Sequence, residues 1–236
     1  MKVGSLFSGI GGFDLGLERA GMHIEWQVEN NDWCREVLKK HWPKVPCHYD
    51  ITQIDWREIP RVDLVCGGFP CQPFSLAGNR RGKDDSRYLW PEVVRCLDAL
   101  RPTWFLGENV PGLINLALDQ VCADLESLGY AVWPVCLPAC AVDAPHQRQR
   151  VWIVAHHQRE RSERRGQETL QRKSTLERRE NGRGVTHFSR VPAISQPLLR
   201  RVGNGVSGEV DRLRGLGNAV VPQVVEALGR MILEVE

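Results

Sequence analysis

The sequence predicts an α/β domain of three layers, with a mostly parallel sheet and one small basic insert. Three observations point there. Short apolar runs that read as buried strands alternate with stretches of helical spacing. The chemistry-bearing residues fall just past the ends of those strands, where open α/β sheets place their sites. From His157 to Arg190, ten basic residues stand against five acidic ones, so this stretch carries +5 and the rest of a +2 chain carries −3.

Composition agrees with that class. A chain of 236 residues is long enough for one large domain with a small appendage. Its 42% hydrophobic and 25% charged residues are those of an ordinary soluble protein. The eight cysteines form no CxxC pair, which predicts reduced thiols in the cytoplasm. Cys136, Cys140 and His146 match no common zinc spacing and lack a fourth ligand, so no metal is expected. No apolar run approaches the ~20 residues that span a bilayer.

Taken in order, Lys2 to Phe7 reads as a strand running into the glycine-rich turn of Gly9, Gly11 and Gly12. Phe13 to Ala20 is the following helix, with Leu15, Leu17 and Ala20 available to the sheet. His23 to Val28 is the second strand, and Glu29 at its end stands about 20 positions beyond the turn, where an acidic residue meets ribose hydroxyls. Such turns also occur with no ligand. Asp32 to His41 reads as a helix and Val45 to His48 as a short strand. Val62 to Cys66 is the next strand, and Gly67 to Ser75 (GGFPCQPFS) the loop beyond it. Glycines and prolines bend and stiffen that loop around Cys71. A thiol of ordinary pKa, about 8.5, is mostly protonated near neutrality, so a nucleophilic Cys71 needs neighbours that favour the anion. The alternative is a cysteine packed under a turn.

Gly78 to Ser86 is polar, basic and loop-like. Tyr88 to Leu100 has helical spacing, and Thr103 to Gly107 is a strand that delivers Glu108. A glutamate there either caps the next helix or serves chemistry. Leu113 to Leu128 reads as one helix stopped by Gly129, and Tyr130 to Leu137 and Val151 to Ala155 as an antiparallel pair. Arg148 and Arg150, on a segment taken as extended, would share a face. Beyond His157 there is little to bury, and the segment is either a phosphate-binding insert or a solvated charge run. Val210 to Leu216 follows. Gln223 to Glu234 closes the chain as a helix with Val224, Val225, Leu228, Met231 and Ile232 on its apolar side.

These motifs carry a resemblance. GGFPCQPFS resembles motif IV of the carbon-5 cytosine DNA methyltransferases, whose core is Pro-Cys followed by Gln. Phe7 to Phe13 (FSGIGGF) resembles the family's motif I, and Glu108-Asn109-Val110 its ENV motif. Arg148 and Arg150 are similar to its paired arginines, and Gly217-Asn218-Ala219-Val220 to its last motif, all in the family's order. The resemblance implies the Rossmann-like fold of S-adenosylmethionine-dependent methyltransferases. Residues 1–156 would be the catalytic domain, 157–200 a reduced target-recognition segment, and 201–236 a part returning to the catalytic domain.

The implied cofactor is S-adenosyl-L-methionine. Its site would take Phe7, Ser8, Gly9, Gly11, Gly12 and Phe13, then Glu29 at the ribose, with Asn30, Asp50 and Ile51 at the adenine. Gly67, Pro70, Asn218, Ala219 and Val220 complete it. Asn30 stands where the family often has an apolar or aromatic residue, Tyr49 replaces a common glycine, and His146 a common glutamine. The implied reaction flips a cytosine from double-stranded DNA, with Cys71 adding to carbon 6 while Glu108 serves ring N3. Arg148 and Arg150 assist, one near the ring carbonyl and one ordering the loop. Gln72, Ser75, Arg80, Arg81, Lys83 and Arg87 are the implied DNA contacts. A monomer is expected, in a phage or restriction–modification setting that leaves room for a cognate restriction endonuclease or specificity partner. An RNA cytosine methyltransferase, or a non-catalytic DNA-binding module of the same fold, are the alternatives.

Overall fold

The computed structural model describes residues 1–70, 89–142, 147–157 and 218–236. Cys71, Gln72, Ser75, Arg80, Arg81, Lys83, Arg87, His146, the segment 158–200 and the stretch Val210 to Leu216 lie outside the described residues. Within them, β1 (Lys2–Leu6), β2 (His23–Val28), β3 (Cys47–His48), β4 (Leu64–Gly68), β5 (Trp104–Asn109), β6 (Tyr130–Leu137) and β7 (Arg150–His157) form one sheet. The order is β3-β2-β1-β4-β5-β7-β6. The first five strands run parallel, and β7 enters antiparallel to both β5 and β6.

Helices cover both faces, which is why the central strands are apolar throughout. Leu64, Cys66, Trp104 and Leu106 point into a core shared with α1 (Gly12–Arg19) and α6 (Pro222–Val235). The alternate residues Val65 and Phe105 point into a second core with α3 (Trp90–Leu100) and α5 (Leu118–Ser127). The chain also forms α2 (Asp32–His41), capped by Asn31 Oδ1 on the Cys34 N–H at 3.0 Å, and α4 (Leu113–Leu116). Among the described residues no helix is long and apolar enough to cross a membrane.

Several expectations are corrected. The stretch from Leu113 to Leu128 is two helices, because Ala117 adopts φ −156°; the break lets Leu113 join Val121 and Leu125 in one core. Leu15 faces outward, and Phe13 and Leu17, one turn apart, do the packing. Met231 is 61% exposed because α6 crosses α1 at Gly229, where an added Cβ would stand 3.0 Å from both Ala20 and Leu17. β4 does not stop at Cys66 but runs through Gly67 and Gly68.

Asp14, fully buried, ties three elements together. Its Oδ2 accepts from Ser5 Oγ of β1 at 3.0 Å and its Oδ1 from Gln27 Nε2 of β2 at 2.7 Å. Burial outweighs these bonds and pushes its pKa from 3.8 up to about 6. A folded pKa above the unfolded one means that the contribution to stability is full below about pH 4 and is lost as pH rises through about 6. Asp14→Asn keeps the shape and removes the charge. Its stability relative to the parent chain should therefore improve by roughly 2 kcal/mol between pH 4 and pH 8 in urea titrations; a pH-independent difference would refute this account of the cluster.

Candidate active site

The ladder aligns the carboxyl ends of the parallel strands: Leu6 lies beside Val28 and Gly67, and Val28 beside His48. Four loops therefore meet at one edge. The first turns sharply, with Phe7 at φ 51° and Gly9 at φ 56°, a region where most side chains are strained. The Gly9 N–H donates to Glu29 Oε2 at 2.7 Å, and the Asn31 N–H to Oε1 at 2.8 Å, so Glu29 braces this turn against the head of α2. Each oxygen keeps a second acceptor site. Space is open where a Gly9 side chain would lie, which suits a backbone cradle.

The other sequence-predicted residues at this edge divide. Ser8 is buried and its hydroxyl donates to Ser5 O at 3.0 Å. Phe13 is also buried, its ring 5.8 Å from that of Trp152, so it supports the sheet and does not reach the edge. Gly12 meets Val220, whose Cγ2 would lie 2.9 Å from an added Cβ; this brings the first and last motifs together. Gly67 gives the same room to Leu6 O. Asp50 caps its own turn through Thr52 N at 2.9 Å, while the Ile51 side chain is drawn into the core. Asn30 and Asn218 are exposed.

Glu108 and Asn109 lie within β5, not after it, so Glu108 caps no helix. Gly68 of β4 sits opposite Glu108 and leaves room for it, since an added Cβ would stand 3.1 Å from Oε2. The carboxylate is buried, and Arg150 Nε meets Oε1 at 2.9 Å. Burial raises the Glu108 pKa; Arg150 and then Arg148 oppose that rise. Burial, followed by Arg150, lowers the pKa of Arg148 in turn.

Arg148 is not on an extended segment. Its φ of 28° places it in left-handed backbone ahead of β7, a conformation costing on the order of 1–3 kcal/mol. The two arginines reach a common small space through this kink rather than through strand alternation. That space, about 10 Å³ and no larger than one water, is lined by Glu108, Arg148, Arg150, Trp152, Val220 and Val221. Arg148 Nη2 also donates to Ala219 O at 2.7 Å, joining it to the last motif.

Sequence reasoning missed the base of the loop that carries Cys71. Asn109 Nδ2 donates to Phe69 O at 2.9 Å, two residues before Cys71. Phe69 and Trp90, which flank that loop on either side, stand ring to ring at 4.7 Å. The signal was an aromatic residue at each end of a Gly/Pro-rich, basic stretch. With a buried carboxyl, two cations and a clamped loop base, the edge is equipped to move a proton and balance a developing charge.

A family model described as C-5 cytosine-specific DNA methylase matches residues 1–193. The Bacillus subtilis (strain 168) type II methyltransferase M2.BsuMI is 40% identical over 164 residues, covering 66% of this chain and 42% of that protein. The Neisseria gonorrhoeae type II methyltransferase M.NgoFVII is 36% identical over 160 residues, 65% of this chain and 43% of that protein. Among solved structures, a mutant of Spodoptera frugiperda DNMT2 superposes with a TM-score of 0.57 at 25% identity, covering 67% of this chain and 50% of that one. The chain thus spans less than half the length of these curated relatives.

Removing Arg150 tests the electrostatics directly. In Arg150→Ala the burial of Glu108 loses its strongest opposition, so the Glu108 pKa moves further up. A carboxyl with a raised folded pKa loses its stabilising contribution as pH rises through that pKa, and in the variant this loss shifts to higher pH. Carboxyl-carbon NMR titration of Glu108 should show the upward displacement. A downward displacement or none would show that the pair at 2.9 Å does not govern this group.

Proposed function

This chain belongs to the C-5 cytosine-specific DNA methylase family, and from that premise we propose that it methylates carbon 5 of a cytosine flipped out of duplex DNA. The observation that carries the reading is Glu108, buried and paired with Arg150 beside the bond from Asn109 to Phe69 O, two residues ahead of Cys71. The methyl donor in this reading is S-adenosylmethionine, and the open, left-handed turn at Gly9 fits its approach. When bound it supplies an electrophilic methyl group. Glu29 would take the ribose hydroxyls with its remaining acceptor sites, and Asp50 and the main chain of its turn the adenine. Gly11, Gly67, Pro70 and Val220 shape the remaining wall, with Asn218 and Ala219 beside it.

The protein's own residues divide the work. Cys71, as thiolate, forms a bond from sulfur to carbon 6 of the cytosine, and the displaced electron pair makes carbon 5 nucleophilic. Glu108 donates at ring N3; burial raises its pKa in the direction that donation needs. Arg150 orients Glu108, and Arg148 holds the last motif while adding positive charge. Once carbon 5 carries the methyl group, its proton leaves to a base and the carbon–sulfur bond breaks. The electron pair of the departing proton restores the ring double bond, sulfur leaves as thiolate, and the N3 proton returns to Glu108.

Residues 1–156 act as the catalytic domain, 201–236 complete it, and 157–200 contact DNA phosphates together with Arg80, Arg81, Lys83 and Arg87. Gln72 and Ser75 meet the DNA near the flipped base. In this reading the protein acts as a monomer in the cytoplasm, with room for a restriction endonuclease of the same target sequence or a specificity partner.

Transfer of labelled methyl groups from S-adenosylmethionine to duplex DNA, with transfer RNA assayed in parallel, tests the proposal. DNA should gain 5-methylcytosine in one short sequence context. Cys71→Ala should lower the rate by at least about 10³-fold, the scale of removing a nucleophile. Methylation of RNA alone, or of DNA at an undiminished rate in Cys71→Ala, would reject it.

A further inference from the structure

α3 begins immediately after the segment that carries Cys71, and Arg95 lies in its second turn. The Arg95 guanidinium reaches across 41 and 44 residues of sequence to a different part of the edge. Its Nη1 donates to Ile54 O at 2.8 Å and its Nη2 to Ile51 O at 2.7 Å. Glu92, one turn back, fixes the fork through Nε at 2.7 Å, and the guanidinium stands 5.9 Å from the centre of the Trp56 ring. The two carbonyls belong to the 3-10 turn Ile51–Gln53 and the residue that follows it. Ile51 opens that turn and Ile54 follows it, so the two arms of the fork hold the turn at both ends.

The apolar contacts run the same way. Ile51, Ile54 and Trp56 share one core with Trp90, Val93 and Leu97 of α3. Trp90 in turn meets Phe69, so the turn after β3, the helix α3 and both flanks of the Cys71 segment form one packed unit. Arg95 adds direction to this packing, because a planar fork bonded to two carbonyls fixes an angle that apolar contact leaves free.

We infer that Arg95 is a positioning residue that locks the adenine-side turn at Asp50 and Ile51 to α3, so that cofactor binding and the placement of α3 are coupled. The inference rests on the proposed S-adenosylmethionine site. Coupling of this kind is reciprocal: whatever orders the turn orders α3, and the reverse.

The probe is S-adenosylhomocysteine, titrated calorimetrically into the full chain without DNA, with hydrogen exchange followed in peptides covering residues 50–56 and 89–100. Arg95→Ala should raise the dissociation constant about tenfold, and Arg95→Lys by less, since an ammonium keeps the charge and donors but not the fixed fork. In the parent chain the ligand should slow exchange in both peptides. In both variants at saturation, the slowing should be confined to residues 50–56. Arg57→Ala, which removes an exposed arginine bonded to Asp55 beside the same turn, should match the parent chain.

Equal affinities in the parent chain and both Arg95 variants, with α3 protected alike, would reduce Arg95 to a helix-surface residue and overturn the inference while leaving the cofactor reading intact. Failure of the parent chain to bind the probe would overturn both. If Arg95→Ala does not fold, Arg95→Lys distinguishes the same outcomes.

Discussion

Parallel pairing of β4 with β5 places Gly67 opposite Gly107 and Gly68 opposite Glu108, and the chemistry at the edge depends on this register. Two segments about 40 residues apart in sequence arrive at the same height because each strand is buried on both faces and cannot slip by one residue without reversing its cores. The glycines matter here for their missing side chains: Gly68 leaves room for a carboxylate that a larger residue would crowd. Once Glu108 is set at that height, the antiparallel entry of β7 opposite it brings Arg150 within reach, and Asn109 one step on reaches back to Phe69.

The two buried carboxyls show different solutions to one electrostatic problem. Asp14 has only neutral donors, Ser5 and Gln27, and its pKa is raised far enough to cost stability at neutral pH. It buttresses the first turn from behind. Glu108 faces two guanidiniums that oppose the effect of burial. Its carboxyl is thus held between burial, which raises its pKa, and two cations, which lower it.

Much of the fold was legible because strands buried on both faces leave apolar runs and the turns between them leave glycine and proline. The alternation of Leu64, Val65 and Cys66 between two cores needs no knowledge of their partners. Side-chain direction on the helices was less legible. Met231 and Leu15 lie near the edges of their apolar stripes, and which edge is covered depends on where α6 crosses α1, a packing outcome at Gly229. At the site, Glu108, Arg148, Arg150 and the glycine turn stood out as motif residues. Asn109, Asp14 and Arg95 did not stand out in these roles, because the partners that matter, Phe69, Ser5 and Gln27, and Ile51 and Ile54, lie 9 to 44 residues away and are brought near only by the packing of helices and turns on the sheet. The left-handed φ of Arg148 had no signal in a stretch without glycine.

The meeting of Gly12 with Val220 bears on how such a chain can diverge. Replacing Val220 by a smaller residue would remove the methyl group 2.9 Å from a new Cβ at position 12, but Val220 O would remain 3.1 Å away. Main chain cannot be exchanged by mutation. A lesion at Gly12 therefore has no simple suppressor at its nearest contact, and drift in the amino-terminal turn is limited by a stretch of backbone more than 200 residues downstream.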